Sequence, residues 1–168
     1  MDTTAEDLAE LKREGDYVVA TFNREFEHPP AKVWAALTDP AFLPQWLAPG
    51  AIDLRVGGSA RLDFQDSGIV IDSAVSACEP ERLLAYSWSG PGEPTRGVCW
   101  DLQPTPGGCR LQLVLEIPAG EDVGRACAGW EAHLDMLAAA LEGVPIKFPF
   151  DRFKSARDLY RSRVAEAA

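Results

Sequence analysis

The chain has 168 residues, enough for one domain with a substantial core, and 46% of them are hydrophobic. Its 26 acidic against 16 basic residues give a formal net charge of -10, which argues against nonspecific binding to nucleic acid or to an anionic membrane. No apolar run approaches membrane-spanning length, and the opening MDTTAEDLAELKREG is too acidic and polar for a secretory signal, so a cytoplasmic location is expected.

Cys78, Cys99, Cys109 and Cys127 form no Cys-x-x-Cys pair, and neither histidine has metal-site spacing. Reduced thiols and no metal site are the expectation. Gly57-Gly58 lacks a following Lys-Ser or Lys-Thr, so it reads as hairpin chemistry and not as a phosphate cradle. No cofactor is expected.

Residues 1–16 read as an N-terminal arm. Within it, 3–13 has the pattern of a short helix that docks Leu8 and Leu11 and ends at Gly15, although so short a helix is marginal alone. Residues 17–27 are the first strand. Val18, Ala20, Phe22 and Phe26 share one parity, and mostly polar residues share the other, as in a half-exposed antiparallel strand. Arg24 breaks the apolar parity, which points to a cavity lining or to the sheet rim.

His28-Pro29-Pro30 stops this strand and opens a helix with Val33, Trp34 and Leu37 on its apolar side. Asp39-Pro40 opens a second short helix holding Phe42, Leu43, Trp46 and Leu47. The two make a helix–turn–helix in the geometric sense only, because the stretch offers too few basic residues for phosphate contacts.

Short strands follow. Residues 51–56 and 59–65 are joined through Gly57-Gly58, a strong hairpin signal. Asp66-Ser67-Gly68 turns the chain into a strand over 68–78, with Ile69, Ile71 and Val75 facing one way. Residues 82–89 place Leu84, Tyr86 and Trp88 on one side, and 95–103 place Val98, Trp100 and Leu102 likewise. The cleanest alternation is 109–117, with Leu111, Leu113, Leu115 and Ile117 inward. Asp63 and Arg61 share a parity that is either an inward polar pair or a solvent face.

Residues 119–143 read as one long amphipathic helix. Trp130, Leu134, Leu137 and Leu141 fall on one face of a 3.6-residue period. Asp122, Glu131, Asp135 and Glu142 mostly occupy the rest, and Gly143 suits a C-cap. Residues 144–168 form a C-terminal extension: 145–150 is extended and apolar, and 153–164 reads as a helix carrying several arginines. A packed extension, a dimer arm and a flap over a pocket mouth all fit this pattern.

His28 reads as a turn residue. His133 lies three residues after Trp130 and four before Leu137, at the edge of the apolar stripe, where it is placed to hydrogen-bond a ligand or act as a base. Trp46, Tyr86, Trp88 and Trp100 fall mostly on inward faces, either as core or as the lining of an aromatic pocket. No Ser-His-Asp arrangement is present, so no catalytic residue is assigned.

Several motifs carry a family resemblance. They are Arg24-Glu25-Phe26, the run PPAKVWAALTDP over 29–40, FLPQWL over 42–47, Gly57-Gly58, and Gly129-Trp130 with Leu134 and Leu137. Over residues 17–143 the chain resembles the homologues of the activator of the heat-shock-protein-90 ATPase, within the START and birch-pollen-allergen-like (SRPBCC) superfamily. The resemblance implies an α+β helix-grip fold: a curved antiparallel sheet of about seven strands around the long helix, with two short helices after the first strand. It also implies a cavity between sheet and long helix, where superfamily members bind lipids, sterols, hormones or aromatic polyketides. The expected ligand-binding residues are therefore Arg24, Trp46, Tyr86, Trp88, Trp100, His133 and Leu137. The leading expectation is non-catalytic binding of a small hydrophobic or aromatic molecule, with a stress or regulatory role. The alternatives are a polyketide cyclase or dehydratase and a protein-interaction regulator with a chaperone partner. A homodimer and a closed monomer are both compatible with the chain.

Overall fold

The computed structural model describes residues 8–64 and 67–167. The first element is not a helix. β1 (Glu10–Glu14) pairs antiparallel with β2 (Tyr17–Phe26), and Glu14 opposite Tyr17 leaves Gly15-Asp16 as the connecting turn. Gly15 takes φ +60° there, the conformation a tight hairpin demands of a glycine. Pairing with β2 satisfies backbone groups that a short isolated helix would expose, which is why the strand wins over the helix expected at 3–13. Residues 3–7 of that expectation lie outside the described residues. Leu8 and Leu11 nevertheless pack on the core.

After β2 come α1 (Pro30–Thr38), a single 3-10 turn at Leu43–Gln45 in place of the second helix, β3 (Gly50–Ile52) and β4 (Ser59–Phe64). β5 (Ile69–Ala74), β6 (Ala77–Glu79), β7 (Leu83–Ser87), β8 (Gly97–Thr105) and β9 (Gly108–Pro118) follow. The chain closes with α2 (Val123–Leu141) and α3 (Phe150–Ala167). No described helix is long and apolar enough to cross a membrane.

The strands form two antiparallel sheets, β1-β2-β9-β8-β7-β6 and β3-β4-β5. The single strand expected at 68–78 is divided because the chain changes sheets. Val75 N–H donates to Gly58 O at 2.8 Å, and the next residue, Ser76, donates to Ala85 O at 2.8 Å. The sheets stay joined: Asp72 N–H donates to Ser89 O at 2.9 Å and Ser73 Oγ to Ser87 O at 2.8 Å. Ile69, expected to face the same way as Ile71 and Val75, is 54% exposed at the start of β5, while Ile71 and Val75 are buried. Arg61 is exposed and Leu62 buried, so the Arg61–Asp63 parity is the outer face.

α2 lies against the sheets. It starts at Val123 and not at 119, because the Asp122 carboxylate caps it by accepting from Arg125 N–H at 3.1 Å. Trp130, Leu134, Leu137 and Leu141 are all buried, facing Leu111, Leu113 and Leu115 of β9 and Trp100 of β8 in one core. Each such leucine contributes about 1.5–3 kcal/mol relative to an exposed one. α3 is longer than expected and packs on α2 so closely that a Cβ at Gly124 would lie 2.6 Å from Arg161 Cγ and 3.0 Å from Arg161 N. Ala156 and Tyr160 of α3 are completely buried.

Candidate functional site

Four of the expected ligand-binding residues are sealed. Trp46, Trp100 and Leu137 have 0% exposure and Tyr86 has 3%. Their polar atoms are also satisfied. Trp46 Nε1 donates to Ala36 O at 2.6 Å, and Trp100 Nε1 reaches the Tyr86 hydroxyl at 3.4 Å. Burial pushes the Tyr86 hydroxyl up to about 12. Trp46 and Trp100 meet edge-on at 5.9 Å, and Trp100 meets Trp130 at 5.7 Å. These rings form a packed floor of favourable edge-to-face contacts.

Above this floor four rings close a circuit. Phe64 meets Trp88 at 5.8 Å, Trp88 meets Trp130 at 4.7 Å, Trp130 meets His133 at 6.1 Å, and His133 meets Phe64 at 6.2 Å. They come from β4, the residue just after β7, and α2. Phe64, Trp88 and His133 are only half-buried. Phe148 sits on the fourth ring, edge-on to His133 at 5.6 Å, and itself meets Phe150 and Phe153 at 4.9 and 5.6 Å. Phe148 belongs to the link between α2 and α3, most of whose residues are exposed.

His133 is the polar member of the circuit. Its Nδ1 lies 2.9 Å from the backbone carbonyl oxygen of Trp46. A carbonyl only accepts, so Nδ1 carries the proton and Nε2 of the neutral ring is an acceptor. Desolvation in this crowded setting holds the imidazole below its ordinary range, against the raising effect of the Trp46 bond. Among the described residues Nε2 has no hydrogen-bond partner, and it is not among the fully enclosed polar atoms.

Arg24 belongs to a different cluster. Its guanidinium donates to Glu131 Oε2 at 2.5 Å. Glu131, placed on the polar side of α2 by its spacing, has 0% exposure. It also accepts from Arg152 at 3.0 Å and from the Tyr160 hydroxyl at 2.6 Å. That hydroxyl in turn accepts from Ala9 N–H at 2.7 Å, and Arg152 bridges on to Asp135. Burial, then Glu131, pushes the Tyr160 hydroxyl far up. The same two causes raise the neighbouring Cys127 thiol to about 12, so it is inert. The cluster ties β2, α2, α3 and the N-terminal segment together. His28 lies elsewhere, with Nε2 2.8 Å from Glu142 Oε1.

The sequence pattern did not join Phe64, Trp130 and Phe148 to His133 or mark Glu131 as a buried charge. The inward anomaly of Arg24 and the run of arginines after 150 were the available signals for Glu131. Phe148 lies in neither a strand nor a helix and carried no periodic signal.

Three solved structures frame this geometry. CalU16 from Micromonospora echinospora is 25% identical with a TM-score of 0.78, covering 93% of this chain and 96% of its own. EF2215 from Enterococcus faecalis aligns with a TM-score of 0.81 at 20% identity, over 95% of this chain and 92% of its own, and speaks to the fold alone. DynU16, from the dynemicin biosynthetic locus, is 32% identical with a TM-score of 0.65 over 79% of this chain, which spans only 49% of DynU16. No curated protein matches the sequence. These neighbours share the helix-grip arrangement of curved antiparallel sheet and long C-terminal helix. The family model described as Activator of Hsp90 ATPase homolog 1-like protein matches residues 27–142, well over half of the chain, and the chain belongs to that family.

Proposed function

We propose that this protein binds a small planar aromatic molecule on the Phe64–Trp88–Trp130–His133 circuit, without chemical change. The observation that carries this reading is the circuit itself: three half-buried rings and one unpaired acceptor on a sealed aromatic floor. Trp46, Trp100, Tyr86 and Leu137 serve as support and not as contact surface, because nothing the size of a water touches Trp46, Trp100 or Leu137. Arg24 pairs with Glu131 and is not part of the proposed contact surface. Phe148 covers the site, and the ligand takes its place against His133. DynU16 comes from a biosynthetic locus, which fits a role with a small organic molecule.

A two-ring ligand that loses about 150–200 Å² of apolar surface gains about 4–5 kcal/mol, or a Kd on the order of 0.2–1 mM before further contacts. Calorimetric titration with indole tests this. Saturable one-to-one binding in that range, weakened several-fold in Trp88→Ala, supports the reading. Linear, non-saturating heats in the wild type oppose it.

The unpaired Nε2 also favours a second reading, an enzyme of the cyclase or dehydratase type with His133 as general base. It is the weaker one, because Glu131 and Asp135, the carboxylates nearest in sequence, are bound to arginines. His133 therefore has no carboxylate to orient it. A turnover assay on a polyketide-like substrate that responds to His133→Phe would favour this second reading.

A further inference from the structure

We infer that the ligand of this site must bring its own hydrogen-bond donor, an aromatic N–H or O–H aimed at His133 Nε2. This inference rests on the binding reading above and sharpens its ligand class.

A backbone contact fixes the imidazole. Its Nδ1 faces the Trp46 carbonyl at 2.9 Å. That carbonyl cannot turn away easily: the Trp46 side chain is completely buried and anchored by its own 2.6 Å bond to Ala36 O. The adjacent backbone is pinned as well, with Trp46 N–H on Leu43 O at 3.3 Å and Leu47 N–H on Leu43 O at 2.9 Å. Flipping the tautomer would set the Nδ1 lone pair against the carbonyl oxygen. The proton therefore stays on Nδ1, and Nε2 can only accept.

Among the described residues no donor lies within hydrogen-bonding distance of Nε2. The side chains packed on the imidazole, Phe64, Trp130 and Phe148, meet it ring to ring at 6.2, 6.1 and 5.6 Å. Because Nε2 is not fully enclosed, it can accept from solvent water. A ligand that seats on the rings strips this water, and an acceptor left unpaired then counts against binding. A ligand with a donor restores the bond; an isosteric ether or thioether does not. Buried polar groups discriminate strongly against analogues that lack the matching atom. Carboxylates are disfavoured too, since Nε2 has no proton to offer.

Indole and benzofuran are a matched pair of one shape, the first with an N–H and the second with a ring oxygen. Calorimetry should show indole binding about ten-fold more tightly to the wild type, with the gap falling to within about two-fold in His133→Phe. Equal affinities in the wild type overturn the inference while leaving the binding reading standing. Saturable binding of neither probe overturns both. Nitrogen NMR of the histidine side chains in the wild-type protein gives a check that needs no variant. The expected spectrum has His133 protonated on Nδ1, with Nε2 unprotonated and moving on addition of indole. A proton on Nε2, or an Nε2 signal indifferent to saturating indole, overturns the inference.

Discussion

Glu131→Ala is the sharpest test of how the C-terminal helix is held. In the native fold the carboxylate has 0% exposure and takes three hydrogen bonds, from Arg24 at 2.5 Å, Arg152 at 3.0 Å and Tyr160 at 2.6 Å. Removing one partner of a buried ion pair costs about 3–5 kcal/mol. Arg24 and Arg152 keep 26% and 21% side-chain exposure, so both can turn partly toward water, which places the loss near the lower end, about 3 kcal/mol. For a chain of this size that lowers Tm by about 6–12 °C. Glu142→Ala is the control: it lies at the end of the same helix, its side chain is 68% exposed, and among the described residues it pairs with His28 alone, so it should lose less than about 1 kcal/mol. Urea unfolding followed by far-UV circular dichroism measures both. Comparable small losses in the two variants would refute the claim that Glu131 anchors α3.

Three further outcomes follow from the same contacts. Tyr160→Phe deletes the hydroxyl between Glu131 and Ala9 N–H, and should cost about 2–3 kcal/mol in thermal melts; a loss below about 0.5 kcal/mol contradicts the bridge. Phe148→Ala removes the ring that covers His133, so indole should bind several-fold more tightly by calorimetry; weaker binding would make Phe148 a wall of the site and not its cover. His133 is held below its ordinary value of 6.5 chiefly by desolvation. The unfolded chain therefore takes up its proton first as pH falls. The contribution of neutral His133 is present above about 6.5 and is lost progressively below it, through the lower folded value. The wild type should lose stability over this range more steeply than His133→Phe, and parallel pH profiles in urea unfolding would contradict the assignment.

Much of the architecture was legible because burial imposes periodicity. Leu111, Leu113, Leu115 and Ile117 alternate strictly, and all four are buried on β9. The stripe from Trp130 to Leu141 likewise became the gripped face of α2. What escaped was non-periodic or long-range. Gly15 is compatible with a helix end and with a hairpin turn, and only the pairing partner Tyr17 decides for the turn. Val75 and Ser76 are neighbours that bond to different sheets, which no local pattern encodes. Arg24 and Glu131 are separated by 107 residues, so each read as an oddity or a surface charge until paired. The inward aromatic positions were legible, but how deeply each ring lies was not. A tryptophan on an inward face can be fully enclosed, as Trp46 and Trp100 are, or half-buried, as Trp88 is. The difference lies in what packs behind each ring, which sequence does not record.

The central claim is that one aromatic circuit under Phe148 is a binding site, and chemical-shift mapping tests it most directly. Aromatic carbon–proton spectra of the wild-type protein would be recorded across an indole titration. The account predicts saturable shifts at Phe64, Trp88, Trp130, His133 and Phe148, with Phe22 and Tyr160, which contact each other at 6.5 Å away from the circuit, left unmoved. Saturable shifts at Phe22 and Tyr160 with the circuit unmoved, or no saturable shift at all, would contradict it.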